Sequence, residues 1–352
     1  MGKIFIALSG QQQTEPSETK VILAEGMEWW NLSKLPFEQF IADIKGHIPP
    51  VNGNITEDRY RTDIWQCNVQ DQYEQRAKWG LLLPTPATDR NMGYEYEVIH
   101  SLNLFAPEFL HPIFHVDDMG CWATPHRHTA QMYGQDAWYA QQENVDIPAL
   151  FRTPKFAEYY KKITKALPYF WSNRDREKDW KDLDWHLCWA HILFGDLRRY
   201  QNTGKRQGTY LRESVDICIS MESLFIDDGS AQEIMQKLKD RSDVLLGQFK
   251  SDVISLVGKL YKLRSDFVHG RVFRRMEGFD DGTPTTEDFE LLQKATSYLR
   301  YLLLAYTYLY ISPEEFPHAN DGVVQLLIAA LSDETLRNCI RSKAGEILNL
   351  LD

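Results

Sequence analysis

Arg264 and His269 stand five positions apart near the end of an amphipathic run, residues 260–270, that reads Leu-Tyr-Lys-Leu-Arg-Ser-Asp-Phe-Val-His-Gly. A guanidinium can bind two non-bridging phosphate oxygens at once and stays charged throughout a reaction. An imidazole can take up and release protons near neutral pH. Together they supply what metal-independent RNA cleavage needs, because RNA carries its own nucleophile in the ribose 2′-hydroxyl. Deprotonating that hydroxyl, holding the phosphorus in line and protonating the leaving 5′-oxygen gives a 2′,3′-cyclic phosphate and a 5′-hydroxyl. The plain alternative is a surface arginine with a histidine capping the helix that Gly270 stops. Four further cations, Lys262, Arg271, Arg274 and Arg275, share this neighbourhood. They form either an RNA-binding patch or a solvated basic face.

The flanking residues add a family resemblance. Leu-Arg-Ser-x-x-Val-His-Gly after a Leu-Tyr pair resembles the signature of HEPN domains, in particular the ApeA-like subgroup. Met221-Glu222-Ser223-Leu224-Phe225 is similar to that subgroup's Leu-Glu-x-Leu-Phe helix, and Arg241 to Gly247 to its Arg-x-x-x-Leu-Leu-Gly helix end. The likeness covers residues 180–312. It implies a helical nuclease domain, with Arg264 and His269 catalytic, that pairs as a homodimer so that two arginines and two histidines line one groove. It also implies RNA as partner, no cofactor, and a place in anti-phage defence or as a toxin. The N-terminal half would then sense a trigger or partner protein, restrain cleavage, or recognise substrate. One position departs: many catalytic members carry Asn, Asp or His directly after the arginine, where this chain has Ser265. The competing reading is a non-catalytic module that uses the same fold for dimerisation or ligand binding.

Two carboxylates enter as supporting residues. Glu222 shares the apolar stripe of its helix, and a carboxylate on a buried face must be paired or neutralised. Arg241 and Arg264 are the partners within reach of such a helix, and an internal ion pair that orients a catalytic arginine is favoured over direct chemistry by Glu222. Asp266 lies one helical step before His269; it either orients that imidazole or is an exposed carboxylate.

A length of 352 residues predicts two domains. A net charge of −11 argues against broad, non-specific coating of nucleic acid, though a local basic patch can act within an acidic protein. Five scattered cysteines with no Cys-x-x-Cys pair predict free thiols in a reducing compartment. No signal peptide or membrane span is read, so the expected location is cytoplasmic.

The elements that must position these residues change character near residue 175. Residues 1–175 predict a mixed α/β domain: strands at 3–8, 20–24 and 81–83, helices at 37–48 and 154–167. The charged stretch 172–182 is the expected boundary. Residues 176–352 predict an all-α bundle of the HEPN type with two additional C-terminal helices, so the class is α+β. Its helices are read at 184–200 (stripe Trp185, Cys188, Trp189, Ile192, Leu193), 211–225 (Leu211, Val215, Cys218, Ile219, Glu222), 232–246, 249–268, 287–310, 322–331 and 333–351. Within residues 111–128, His111, His115, Asp117, Asp118, Cys121, His126 and His128 are dense enough to suggest zinc. Their spacing matches no zinc module and Pro112 and Pro125 break any single helix, so a polar cluster or recognition loop is preferred and no metal is expected. Phosphate-loop, dinucleotide and nucleophile-elbow signatures are absent.

Overall fold

The computed structural model describes residues 3–9, 19–24, 27–48, 79–84, 111–117, 120–123, 147–162, 210–226, 233–269, 286–312 and 322–350, with single positions between 102 and 104, between 186 and 197, and at 316. The chain divides into two compact units, Met1–Thr129 with Gly134–Glu158, and Tyr159–Asp352 with Ala130–Tyr133. The division falls within a helical run at 154–162, ahead of the charged stretch expected to mark it, which lies outside the described residues. Side-chain packing explains its place. Phe156 stacks edge-on against Phe151 in the first unit, whereas Tyr159 packs on Tyr308 and Lys162 donates to Ser312 Oγ (3.1 Å) in the second.

The first unit is built on a six-stranded antiparallel sheet. Its strands are β1 (Lys3–Ser9), β2 (Lys20–Ala24), β3 (Met27–Asn31), β4 (Trp79–Pro84), β5 (His111–Asp117) and β6 (Gly120–Ala123), in the order β2-β3-β4-β1-β5-β6. The three strands read from sequence are β1, β2 and β4, and helix α1 (Phe37–His47) matches its predicted span. The two centre strands are the most continuously apolar. Phe5, Ile6, Ala7 and Leu8 in β1, and Leu81, Leu82 and Leu83 in β4, are all buried, as strands covered on both faces require. Edge strand β2 leaves Ile22 exposed. α1 lays Phe40, Ile41, Ile44 and Ile48 over Phe5, Ala7, Trp30, Leu82 and Val116. Gly80 is needed there, since a Cβ would stand 2.2 Å from the Phe5 ring. A 3-10 turn (Leu32–Lys34), a short helix α2 (Ile147–Phe151) and the start of the helical run at 154–162 complete the described elements of this unit.

The second unit is helical: α3 (Tyr210–Phe225), α4 (Ile234–Leu246), α5 (Val253–Val268), α6 (Thr286–Ile311), α7 (Val323–Ser332) and α8 (Glu334–Leu348). α4 touches all five of the others, and α5 packs against α3, α4 and α6. The predicted stripe of α6 is buried throughout, at Leu299, Leu302, Leu303, Tyr306 and Leu309. Two other stripes are rotated from the expected ones. In the helical residues between 186 and 197 the core face is Leu187, Ala190, His191, Phe194 and Leu197, while Trp189 is exposed. His191 is taken inward because its Nε2 meets Thr307 Oγ1 at 3.0 Å, which satisfies a buried imidazole; Trp185, Cys188 and Ile192 lie outside the described residues. In α3 the core face runs through Ser214, Ile217, Cys218, Met221 and Leu224, which leaves Val215, Ile219 and Glu222 half-buried on its flank.

Helix ends follow local chemistry. Asp333 caps α8 by accepting from the Leu336 amide at 3.0 Å. α4 stops at Gly247, whose amide donates to the Asp243 carbonyl, and Arg341 of α8 donates to both that carbonyl (3.1 Å) and the Asp243 carboxylate (3.0 Å). A Cβ at Gly247 would meet Asp243 Oδ1 at 2.2 Å and the Asp243 carbonyl at 2.6 Å. Because one obstacle is backbone, Gly247→Ala is expected to lower stability by about 1–3 kcal/mol. Denaturant unfolding reads this directly; an unchanged midpoint would mean that the end of α4 yields without cost.

Candidate functional site

The arginine-histidine pair sits at the C-terminal half of α5. Leu256, Val257, Leu260 and Leu263 bury one side of this helix and so fix which of its other residues face outward. Arg264 lies at the margin of that buried side and His269 is the C-cap residue, exposed, its amide donating to the Ser265 carbonyl at 3.0 Å. Ser265 is half-buried and Val268 exposed.

Arg264 meets Glu222 across the α3–α5 contact. Their charged ends are 3.9 Å apart, with side-chain exposures of 27% and 23%, so both charges are largely withdrawn from water. At that separation the contact is an ion pair without a hydrogen bond. Neither Glu222 Oε1 nor Arg264 Nε, both buried, finds a hydrogen-bond partner. Of the two partners considered for Glu222, Arg264 is therefore the one that faces it. Burial raises the Glu222 carboxyl above its ordinary value, and the Arg264 charge opposes that rise without cancelling it.

Two residues that sequence reasoning placed only in the core or the motif flank join this cluster. Tyr261 offers its ring to Arg264, whose guanidinium carbon lies 5.4 Å from the ring centroid. Burial raises the Tyr261 phenol, and the Glu222 charge raises it further. Cys218, one turn before Glu222, is buried, and its thiol is pushed up to about 12 by burial and then by the Glu222 charge. The available signal was spacing: Cys218 and Glu222 are i and i+4, Tyr261 and Arg264 are i and i+3, so each pair shares a helix face.

Asp266 departs from expectation. It is not an exposed carboxylate but 7% exposed, because the turn of α5 carries it to the flank facing α6. There it lines a cavity of about 600 Å³ with Lys259, Lys262, Glu287, Glu290 and Lys294. Lys262, expected to bind RNA, is exposed but opens onto this mixed and mainly acidic surface. Arg271, Arg274 and Arg275 lie outside the described residues, so the basic patch rests on sequence alone.

The rest of α5 is anchored at its other end. Asp252 accepts hydrogen bonds from Lys294 and Tyr298 of α6, which hold its carboxyl below the ordinary range. The histidine-rich segment of the first unit folds as strands: His111, His115 and Asp117 are in β5 and Cys121 in β6, with Val116 paired to Cys121. Asp118, His126 and His128 lie outside the described residues. Among the described residues, no group of three or more His, Cys, Asp or Glu side chains is placed to hold a metal ion. No helix among them is long and apolar enough to cross a membrane.

A raised carboxyl has a defined effect on stability. Ionising Glu222 costs more in the folded chain than in the unfolded one, so stability falls as pH rises from its ordinary value through its raised folded value. Glu222→Gln removes that titration. The stability of the wild type relative to the variant is expected to decline as pH rises from the ordinary carboxyl range, about pH 4, through the raised folded value. Urea midpoints for both proteins across this window check it; a gap that stays constant with pH would contradict the assignment.

What this chain resembles at large scale adds no further guide to the site, for no known family model, curated protein or solved structure matches it.

Proposed function

We propose that this chain is a metal-independent endoribonuclease of the HEPN type, in which Arg264 binds the scissile phosphate and His269 moves the protons. The observation that carries this reading is the state of Arg264. It is half-buried, held by a ring face and a long ion pair, and it makes no hydrogen bond among the described residues, so its N–H fork is uncommitted. A desolvated, uncommitted guanidinium is primed for a two-point grip on a phosphate. Glu222 supplies the opposing charge across the α3–α5 contact, as the ion-pair partner expected from sequence. His269, exposed one helical end away, takes the proton of the 2′-hydroxyl or delivers one to the leaving 5′-oxygen.

The active unit is a dimer. Five positions along α5 turn a side chain by about 140°, so Arg264 and His269 of one copy diverge. Between their directions runs a stripe that includes Ile254, Tyr261, Ser265 and Val268, and its two aliphatic members are 44% and 54% exposed. A two-fold axis through this stripe would bring the histidine of one copy towards the arginine of the other and bury both apolar residues. The first unit would then restrain or direct cleavage in defence or growth arrest.

A second reading, a non-catalytic dimerisation or ligand-binding module, draws support from the acidic groove beside Lys262, which would repel RNA on that flank. RNA incubated with the purified protein in EDTA and resolved on denaturing gels separates the two. Cleavage leaving 2′,3′-cyclic phosphates is expected; intact RNA at high protein concentration would favour the module.

His269→Ala is expected to reduce cleavage by about 10²–10⁴-fold with folding intact, since an exposed C-cap imidazole contributes little packing. Arg264→Ala should do likewise, and Arg264→Lys should restore only a fraction, because an ammonium lacks the planar fork. A His269→Ala protein that cleaves at the wild-type rate would overturn the assignment. For assembly, light scattering is expected to give a dimer for the wild type and a monomer with lost cleavage for Ile254→Asp combined with Val268→Asp. A fully active wild-type monomer would remove the two-fold arrangement.

A further inference from the structure

We propose that Tyr261 is a positioning residue for Arg264, its ring face setting the plane in which the guanidinium receives phosphate. The inference rests on the endoribonuclease reading above. Arg264 has two directed neighbours among the described residues, and they constrain it differently. Glu222 stands at 3.9 Å, beyond hydrogen-bonding distance, so it supplies charge with little directional preference. The Tyr261 ring centroid lies 5.4 Å from the guanidinium carbon, within cation–π range, and the ring quadrupole gives a planar cation above its face a preferred tilt that a distant charge does not. Arg264 Nε is buried without an acceptor, so no hydrogen bond fixes the plane instead.

Orientation is the property that matters for this residue. Gripping two phosphate oxygens requires the fork to lie in the plane of those oxygens, and small misplacements of a positioning group cost rate steeply. The hydroxyl of Tyr261 has no part in this role. Burial and the Glu222 charge both raise the phenol, which keeps it neutral and leaves the π-face as the working surface. The helix enforces the arrangement, because residues three apart on α5 lie one above the other on the same face.

The test measures cleavage by the full-length protein with Tyr261→Phe, and with two ring-less variants, Tyr261→Leu and Tyr261→Met, each alone and combined with Arg264→Ala. Circular dichroism and light scattering establish which variants keep fold and assembly, and a ring-less variant that does so decides the outcome. Tyr261→Phe is expected to cleave within about threefold of wild type, while the ring-less variants lose about 10- to 100-fold in kcat with KM little changed. In the Arg264→Ala background, removing the ring is expected to cost nothing more, because there is no guanidinium left to orient. Three results would overturn the proposal: a folded ring-less variant as active as wild type, a Tyr261→Phe protein as impaired as the ring-less ones, or losses that multiply with that of Arg264→Ala. Failure of the nuclease reading looks different, since wild type and every variant would then leave RNA intact.

Discussion

A carboxylate and a guanidinium drawn out of water on facing helices is the constraint on which the helical unit depends. Glu222 and Arg264 are each about three-quarters buried, and the distance between them is too long for a hydrogen bond. Desolvation outweighs attraction at the carboxylate, which is why its pKa rises despite the neighbouring cation. A pair in this condition contributes little to stability. What it does is keep a charged fork half-immersed and without hydrogen bonds, a state that an incoming oxyanion would relieve.

Holding such a pair requires that α3 and α5 cannot turn about their own axes. The bundle achieves this at the beginning and along the middle of α5. Its beginning is tied to α6 through Asp252, Lys294 and Tyr298, and its middle is wedged against α3 and α4 by Leu256, Val257, Leu260 and Leu263. α4 is fixed in turn by α8, where Arg341 binds the Asp243 backbone and side chain beside a glycine that leaves them room. Rigid placement of a few groups by remote contacts is what positional catalysis needs.

The two flanks of α5 are chemically opposed. On one, Arg264, Tyr261 and the exposed Ile254 and Val268 lie towards α3 and solvent; on the other, Asp266, Lys259 and Lys262 meet the acids and Lys294 of α6. A polyanion would be attracted to the first and repelled by much of the second. For a chain with a net charge of −11, this asymmetry would, on the nuclease reading proposed above, confine RNA to a narrow approach rather than a broad surface.

Periodicity in the sequence located β1, β2 and β4 but neither β3, β5 and β6 nor the strand order, and three- and four-residue spacings placed α1 and α3 to α8 within a few residues of their ends. Composition also required that a carboxylate on an apolar stripe, Glu222, have a cationic partner. Choosing Arg264 over Arg241 took the rotation of α3 and α5 about their axes, which a one-dimensional pattern does not encode. A comparable rotation of the helical residues between 186 and 197 took Trp189 outward and His191 inward, since Thr307, 116 positions away, supplied the hydrogen bond that made a buried imidazole tolerable. The rotation of α5 also buried Asp266, which helical spacing alone had left able to be exposed. Local patterns specify how each helix is amphipathic; only the packing of distant helices decides which margin of that stripe meets a partner and which meets water.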